Sequence, residues 1–180
     1  TFGDYAPSDA SRRYRGWVTM REAVTRSLNI PAVELFSELG IGRCKSFARQ
    51  LGILFDKNDT RLALARGGFT YGVSPKELCA AYAAFAAGGV YRTPTLIRRI
   101  EDRDGRVVYE AHPFARRVMS EGSAFILTSM LQSVVQQGTA KALSDLPMEV
   151  AAKTGTVGDE TGNRDIWLGG GGGGGGGWGW

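Results

Sequence analysis

Met148-Glu149-Val150-Ala151-Ala152-Lys153-Thr154-Gly155-Thr156, followed by Gly158 to Asn163 and then Asp165-Ile166-Trp167-Leu168, is the stretch that decides the fold. It reads as a strand, a polar turn and a returning strand, an antiparallel pair. On a regular strand, alternation puts Lys153 and Gly155 on one face and Thr154 and Thr156 on the other. A strand carrying a cation, two hydroxyls and a glycine is expected at a sheet edge. There an extended peptide can pair with its backbone, and Gly155 lets that peptide come close. The ammonium and the hydroxyls together could hold a terminal carboxylate. The plain alternative is a lysine and two threonines on a solvated strand, and these four residues alone do not separate the two.

Upstream, apolar residues recur at helical spacing from Ser120 to Gln137 (Phe125, Ile126, Met130, Leu131, Val134), which predicts a long amphipathic helix. Thr95 to Arg103 and Arg106 to Glu110 flank Asp104-Gly105, a strong hairpin signal. Ser74-Pro75-Lys76-Glu77 is a capping box with proline at the first helical position. It opens an alanine-rich helix that runs to Ala87, ends at Gly88-Gly89 and is small enough in its side chains to pack centrally. Residues 56 to 73 read as a loop, and Lys45 to Leu51 as a helix stopped by Gly52. Thr19-Met20-Arg21-Glu22 is another capping box. Its helix should end near Asn29, because Pro31 disfavours helical geometry in the residue before it. Pro31 to Leu39 then forms a second helix closed by Gly40, and Ser27-Leu28-Asn29 falls at a helix-to-helix junction, where side chains can point into a cleft. Helices first and strands later, with a long helix between, predict an α+β fold with an antiparallel sheet.

Composition narrows the classes. The 180 residues are 43% hydrophobic and 22% charged, ordinary for one globular domain. The net charge of +4 comes from scattered arginines without a basic block, so no nucleic-acid partner is expected. Cys44 and Cys79 make no disulfide framework and read as small core residues. No apolar run has membrane-spanning length and no signal peptide opens the chain. His112, ahead of Pro113, reads as a surface residue. Asp159, Glu160 and Asp165 read as a solvated hairpin rather than a metal cluster, and neither metal nor cofactor is expected. Residues 1 to 16 read as a loop. The glycine run 169 to 177 reads by composition as a flexible linker, and residues 169–180 are left unassigned.

Several runs then fall in one order: Val18 to Ala23, Ser27-Leu28-Asn29-Ile30-Pro31-Ala32-Val33, Tyr71-Gly72-Val73-Ser74-Pro75, Ala80 to Ala86, Gln137-Gly138-Thr139-Ala140, Lys153-Thr154-Gly155-Thr156 and Asp165-Ile166-Trp167. From about residue 17 to 168 the chain resembles the transpeptidase domain of bacterial penicillin-binding proteins, especially the bifunctional class A enzymes. That superfamily carries a Ser-x-x-Lys, a Ser-x-Asn-type triplet and a Lys-Thr-Gly strand. The second and third are here. No serine among the 180 has lysine three residues later, and the nearest lookalike is the helix cap Ser74 to Glu77. The resemblance implies that Ser-x-x-Lys precedes Thr1. Residues 1–168 are thus expected to be the C-terminal part of a transpeptidase domain, an incomplete fragment of the serine β-lactamase/penicillin-binding-protein-like fold, without acylation of its own.

What the resemblance implies for chemistry is specific. A serine outside this chain attacks the D-Ala-D-Ala carbonyl of a peptidoglycan stem peptide, or a β-lactam antibiotic, giving an acyl-enzyme. Ser27 relays a proton between the reacting groups and Lys153; Asn29 hydrogen-bonds the amide of the acyl donor. Lys153 supplies positive potential, and the hydroxyls of Thr154 and Thr156, with Gly155 between them, bind the substrate carboxylate. The Thr156 amide is one oxyanion donor, worth about 3 kcal/mol in such sites. Stem peptides and β-lactams are the implied partners, together with a second chain if the Ser-x-x-Lys segment is supplied separately. The implied location is the extracytoplasmic face of the bacterial membrane, with an anchor and a glycosyltransferase domain elsewhere. The alternatives are a D,D-carboxypeptidase or β-lactamase-type hydrolase, and a non-catalytic sensor of wall peptides or β-lactams.

Overall fold

The computed structural model describes residues 5–9, 14–159, 162–172 and 176–179. Among the described residues, five α-helices and seven strands follow with the helices first, the strands later and a long helix between, as the sequence order predicts: α1 (Met20–Thr25), α2 (Asn29–Leu39), α3 (Ile41–Gln50), α4 (Pro75–Ala86), β1 (Val90–Arg92), β2 (Arg99–Glu101), β3 (Val107–Glu110), β4 (Ala115–Arg117), α5 (Glu121–Gln137), β5 (Val150–Asp159), β6 (Gly162–Gly172) and β7 (Gly176–Gly179). The sheets are all antiparallel, two of them two-stranded (β1-β4 and β2-β3) and one three-stranded in the order β5-β6-β7. β5 therefore lies at an edge, as its composition predicts. The returning strand pairs with it in the register Lys153↔Gly169, Thr154↔Leu168 and Gly155↔Trp167. Both strands outrun their expected lengths. β5 runs on to Asp159 and β6 begins at Gly162, where a turn from Gly158 to Asn163 was expected; Glu160 lies outside the described residues.

α4 is the central helix. The capping box at its start is complete, with the Ser74 side chain accepting from the Glu77 amide and the Glu77 carboxylate accepting from Ser74. Ala80, Ala81 and Ala84 are buried and pack with Leu51, Ile53 and Tyr91. A second core joins α5 to β5 through Val134, Val135, Val150 and Ala152, with Val134 and Ala152 fully enclosed. The β2–β3 hairpin forms as expected, but Asp102 and Arg106 close a three-residue loop with Gly105 at φ 79°, rather than a two-residue turn.

Other expectations are corrected too, the helix expected over Lys45 to Leu51 running instead over Ile41–Gln50. α2 begins at Asn29, two residues before Pro31, because a proline in the first helical turn lacks only an amide that has no helical partner. At α1 the Thr19 hydroxyl accepts from the Glu22 amide, but the Glu22 carboxylate pairs with Arg26 at 3.0 Å instead of closing the box. On α5, Phe125 and Ile126 are 75% and 53% exposed, because the helix packs through Ala124, Leu131, Val134 and Val135. The cysteines Cys44 and Cys79 are half-buried rather than core. The glycine run departs from its linker composition as well: Gly169 to Gly172 continue β6, and Gly176 to Gly179 form β7. A ladder needs only backbone groups, and Gly171 and Gly172 border an open cleft of about 210 Å³ together with Tyr82 and Phe85.

The loop from 56 to 73 is fastened from inside by Asp59, which is buried. Its carboxylate accepts from the Thr70 hydroxyl at 2.7 Å and from the amides of Thr70 and Asp56 at 2.8 Å each. Burial alone would raise the Asp59 carboxyl, but the hydrogen bonds from Thr70 and Asp56, aided by the Lys45 charge, outweigh it and hold it below its ordinary value. The stability this adds is present above the unfolded value of 3.8 and is lost as pH falls through the lower folded value. Asp59→Ala leaves the Thr70 and Asp56 amides without their acceptor. It is expected to cost about 2 kcal/mol at pH 7 in urea unfolding and to flatten the acid limb of the stability curve.

Candidate active site

Ser27 owes its position to how α1 ends. The Leu28 amide donates to the Ala23 carbonyl at 2.9 Å and the Ser27 amide to the Val24 carbonyl at 3.2 Å, the two bonds of a Schellman cap. Glycine normally fills the left-handed position of that cap. Here it is Ser27 at φ 55°, and among the described residues it is the sole non-glycine with positive φ. Such a conformation costs of order 1–3 kcal/mol and persists where the surroundings impose it. Leu28 next to it is buried and locks the junction.

Asn29 follows at the first turn of α2. The helix has no local cap; Asp9, twenty residues earlier and buried, accepts from the Asn29 amide at 2.6 Å and from the Ile30 amide at 3.1 Å. The Asn29 side-chain amide donates to the Ser8 carbonyl at 2.8 Å. Ser8 and Asp9 therefore aim Asn29, a role that no local signal in the sequence announces.

Across the groove from this junction stands β5. The Lys153 amine donates to Ser27 Oγ at 2.7 Å and to the Thr154 carbonyl at 2.7 Å. Two groups 126 residues apart in sequence thus share one hydrogen bond. Burial lowers the Lys153 amine from 10.5 to about 8, because the charged form is poorly solvated there. Ser27 Oγ, accepting from the amine, keeps its own proton free to donate into the groove. The Thr154 hydroxyl meets that of Thr139 at 2.6 Å.

Ser27, Asn29, Lys153, Thr154, Gly155 and Thr156 all border one cleft of about 600 Å³, whose apolar floor includes Leu35, Phe36 and Leu39 of α2. Alternation along β5 does not separate Thr154 from Lys153, because at a sheet edge both faces reach the groove. The loop held by Asp59 adds a second wall: Arg66, Phe69 and Tyr71 border an adjoining cleft of about 320 Å³ with the same four β5 residues. Burial pushes the Tyr82 hydroxyl, beneath both clefts, up to about 12, so it stays protonated. His112 is exposed and borders neither cleft. The side chains of Asp159, Glu160 and Asp165 lie outside the described residues. Among the described residues, no helix is long and apolar enough to cross a membrane.

An α+β frame in which a helix-junction serine faces an edge-strand lysine fits the class of serine acyl-transfer domains that the sequence resembles. Residues 1–167 match the family described as penicillin binding protein transpeptidase domain, and the chain belongs to that family. It is 39% identical over 183 residues to penicillin-binding protein 1F of Bacillus subtilis, covering 100% of this chain and 25% of that protein. It is 34% identical to penicillin-binding protein 1A/1B of the same organism, covering 96% of this chain and 20% of that protein. The class A resemblance is thereby borne out, and the chain spans a quarter or less of these relatives. In fold it is similar to penicillin-binding protein 1A of Haemophilus influenzae, with a TM-score of 0.79 at 24% identity over 92% of this chain and 30% of that one. It is also similar to the D,D-transpeptidase domain of a peptidoglycan glycosyltransferase from Eggerthella lenta, with a TM-score of 0.75 at 24% identity over 93% of this chain and 48% of that one.

Proposed function

We propose that this chain supplies the proton-relay and carboxylate-binding side of a serine D,D-transpeptidase site, which cross-links peptidoglycan stem peptides and is acylated by β-lactams. The observation that carries the reading is the 2.7 Å bond from the Lys153 amine to Ser27 Oγ. An ammonium held against a hydroxyl lets that hydroxyl pass a proton to a departing amide nitrogen while drawing on the cation for support. Asn29, fixed by Ser8 and Asp9, receives the amide of the acyl donor. Thr154 and Thr156 flank Gly155 on an open strand edge suited to an extended peptide ending in a carboxylate. The Thr156 amide serves as one oxyanion donor.

The acylated serine comes from a Ser-x-x-Lys that none of the 180 residues provides, so the proposal concerns the longer protein, at the extracytoplasmic face of the membrane. The full-length protein is expected to form a covalent adduct with a fluorescent penicillin, stable through denaturing electrophoresis. This 180-residue chain alone is expected to stay unlabelled. A full-length protein that never takes up label sinks the enzyme reading and leaves a wall-peptide sensor; rapid loss of label to water marks a hydrolase.

A further inference from the structure

The contact between Thr139 and Thr154 has a direction that the chemistry of the site fixes. We infer that Thr139 is a positioning residue: its hydroxyl donates to Thr154 Oγ1, across the 2.6 Å that separates them, and so reserves the Thr154 proton for the carboxylate of the substrate. This rests on the carboxylate-binding role proposed for Thr154.

A hydroxyl has one proton to give and two lone pairs to receive, whereas a carboxylate only accepts. When Thr154 donates to a bound carboxylate, its bond to Thr139 survives only with Thr139 as the donor. The resulting chain, Thr139 to Thr154 to carboxylate, runs in one direction, and each bond polarises the next. Were Thr139 an apolar residue, Thr154 could turn its proton to its own strand or to water.

The segment that carries Thr139 is held in place. The Gly138 amide donates to the Val134 carbonyl at 3.0 Å, and so does the Ala140 amide at 3.2 Å. The Thr139 amide donates to the Thr25 carbonyl at 3.3 Å, so the end of α1 anchors the end of α5. At Gly138 a Cβ would run into the carbonyls of Thr25 and Val134. That close approach seats the turn against the helix carrying the Ser27 cap. One end of α1 therefore sets both Ser27, which meets Lys153, and Thr139, which meets Thr154.

Thr139 itself is exposed, so water competes for its hydroxyl and the expected effect is moderate. In the full-length protein, Thr139→Val is expected to slow acylation by a penicillin with a free carboxylate about fivefold, the scale of one hydrogen bond. The rate with the methyl ester of the same penicillin should stay unchanged, and Thr139→Ser should restore the free-acid rate. Because the side chain is exposed, Thr139→Val should keep the wild-type melting temperature. Equal slowing of acid and ester would show a merely structural role and overturn the inference, as would a Thr139→Val protein that matches wild type on the free acid. A wild-type protein acylated by neither compound would instead overturn the proposed function, and this inference with it.

Discussion

Lys153→Met in the full-length protein is expected to lower the rate of penicillin acylation by about 100-fold or more, the usual scale for removing a group that supports proton transfer. The amine touches Ser27 Oγ at 2.7 Å, and methionine fills the same volume without charge or proton. Stability should move differently. Burial lowers the amine from 10.5 to about 8, so the unfolded chain holds this proton more tightly than the folded one. The stability gained from Lys153 is then full above about pH 10.5, shrinks as pH falls, and is gone below about pH 8. Urea unfolding of wild type should strengthen relative to Lys153→Met between those two values. The Met variant should be no weaker at pH 7, where it is spared the cost of burying a charge. The part of acylation that depends on Lys153 should also fall above about pH 8, as the ammonium is lost. A Lys153→Met protein acylated at the wild-type rate would remove the amine from the mechanism.

Ser27 offers the second test, because its strain and its chemistry can be separated. Both Ser27→Gly and Ser27→Ala remove the hydroxyl and are expected to reduce acylation by about 100-fold. Only glycine relieves the left-handed backbone at φ 55°. Both variants lose the bond from Lys153 alike; relief of order 1–3 kcal/mol, less the greater freedom of glycine in the unfolded chain, leaves Ser27→Gly more stable than Ser27→Ala by up to about 1 kcal/mol. Ser27→Ala keeps the strain and gains nothing. Calorimetric melting of the two variants beside their labelling rates gives the answer. A Ser27→Gly protein that still labels at full speed would exclude the hydroxyl as the relay, and one that melts lower than Ser27→Ala would exclude the strain. A serine kept where a Schellman cap favours glycine is the pattern expected when a site is maintained against the stability of its own backbone.

The Asp59 and Thr139 predictions bear on the walls of the same groove. Asp59 fixes the loop that brings Arg66, Phe69 and Tyr71 alongside β5. Thr139 meets the hydroxyl of Thr154 on the same strand. Both act through residues that border the clefts.

Much of this was legible in the chain because it is local. Ser74 and Glu77 lie three residues apart and satisfy each other's helix-end groups, so the start of α4 needed no partner elsewhere. The β2–β3 hairpin and the edge character of β5 followed from turn residues and from a strand composition unsuited to a sheet centre. The order of the matched runs around Ser27, Asn29 and Lys153 was enough to name the family. What the sequence could not decide is set by contacts between distant segments. Asp9 starts α2 early from twenty residues away. The exposure of Phe125 and Ile126 depends on which neighbours α5 meets rather than on its own periodicity. Thr139 gains a role only once α1 anchors its turn. Residue types and spacing determined which chemistry the chain could bring. Its placement was left to tertiary structure, since a proton can move between a serine and a lysine 126 positions apart only when packing brings their heavy atoms within a hydrogen bond.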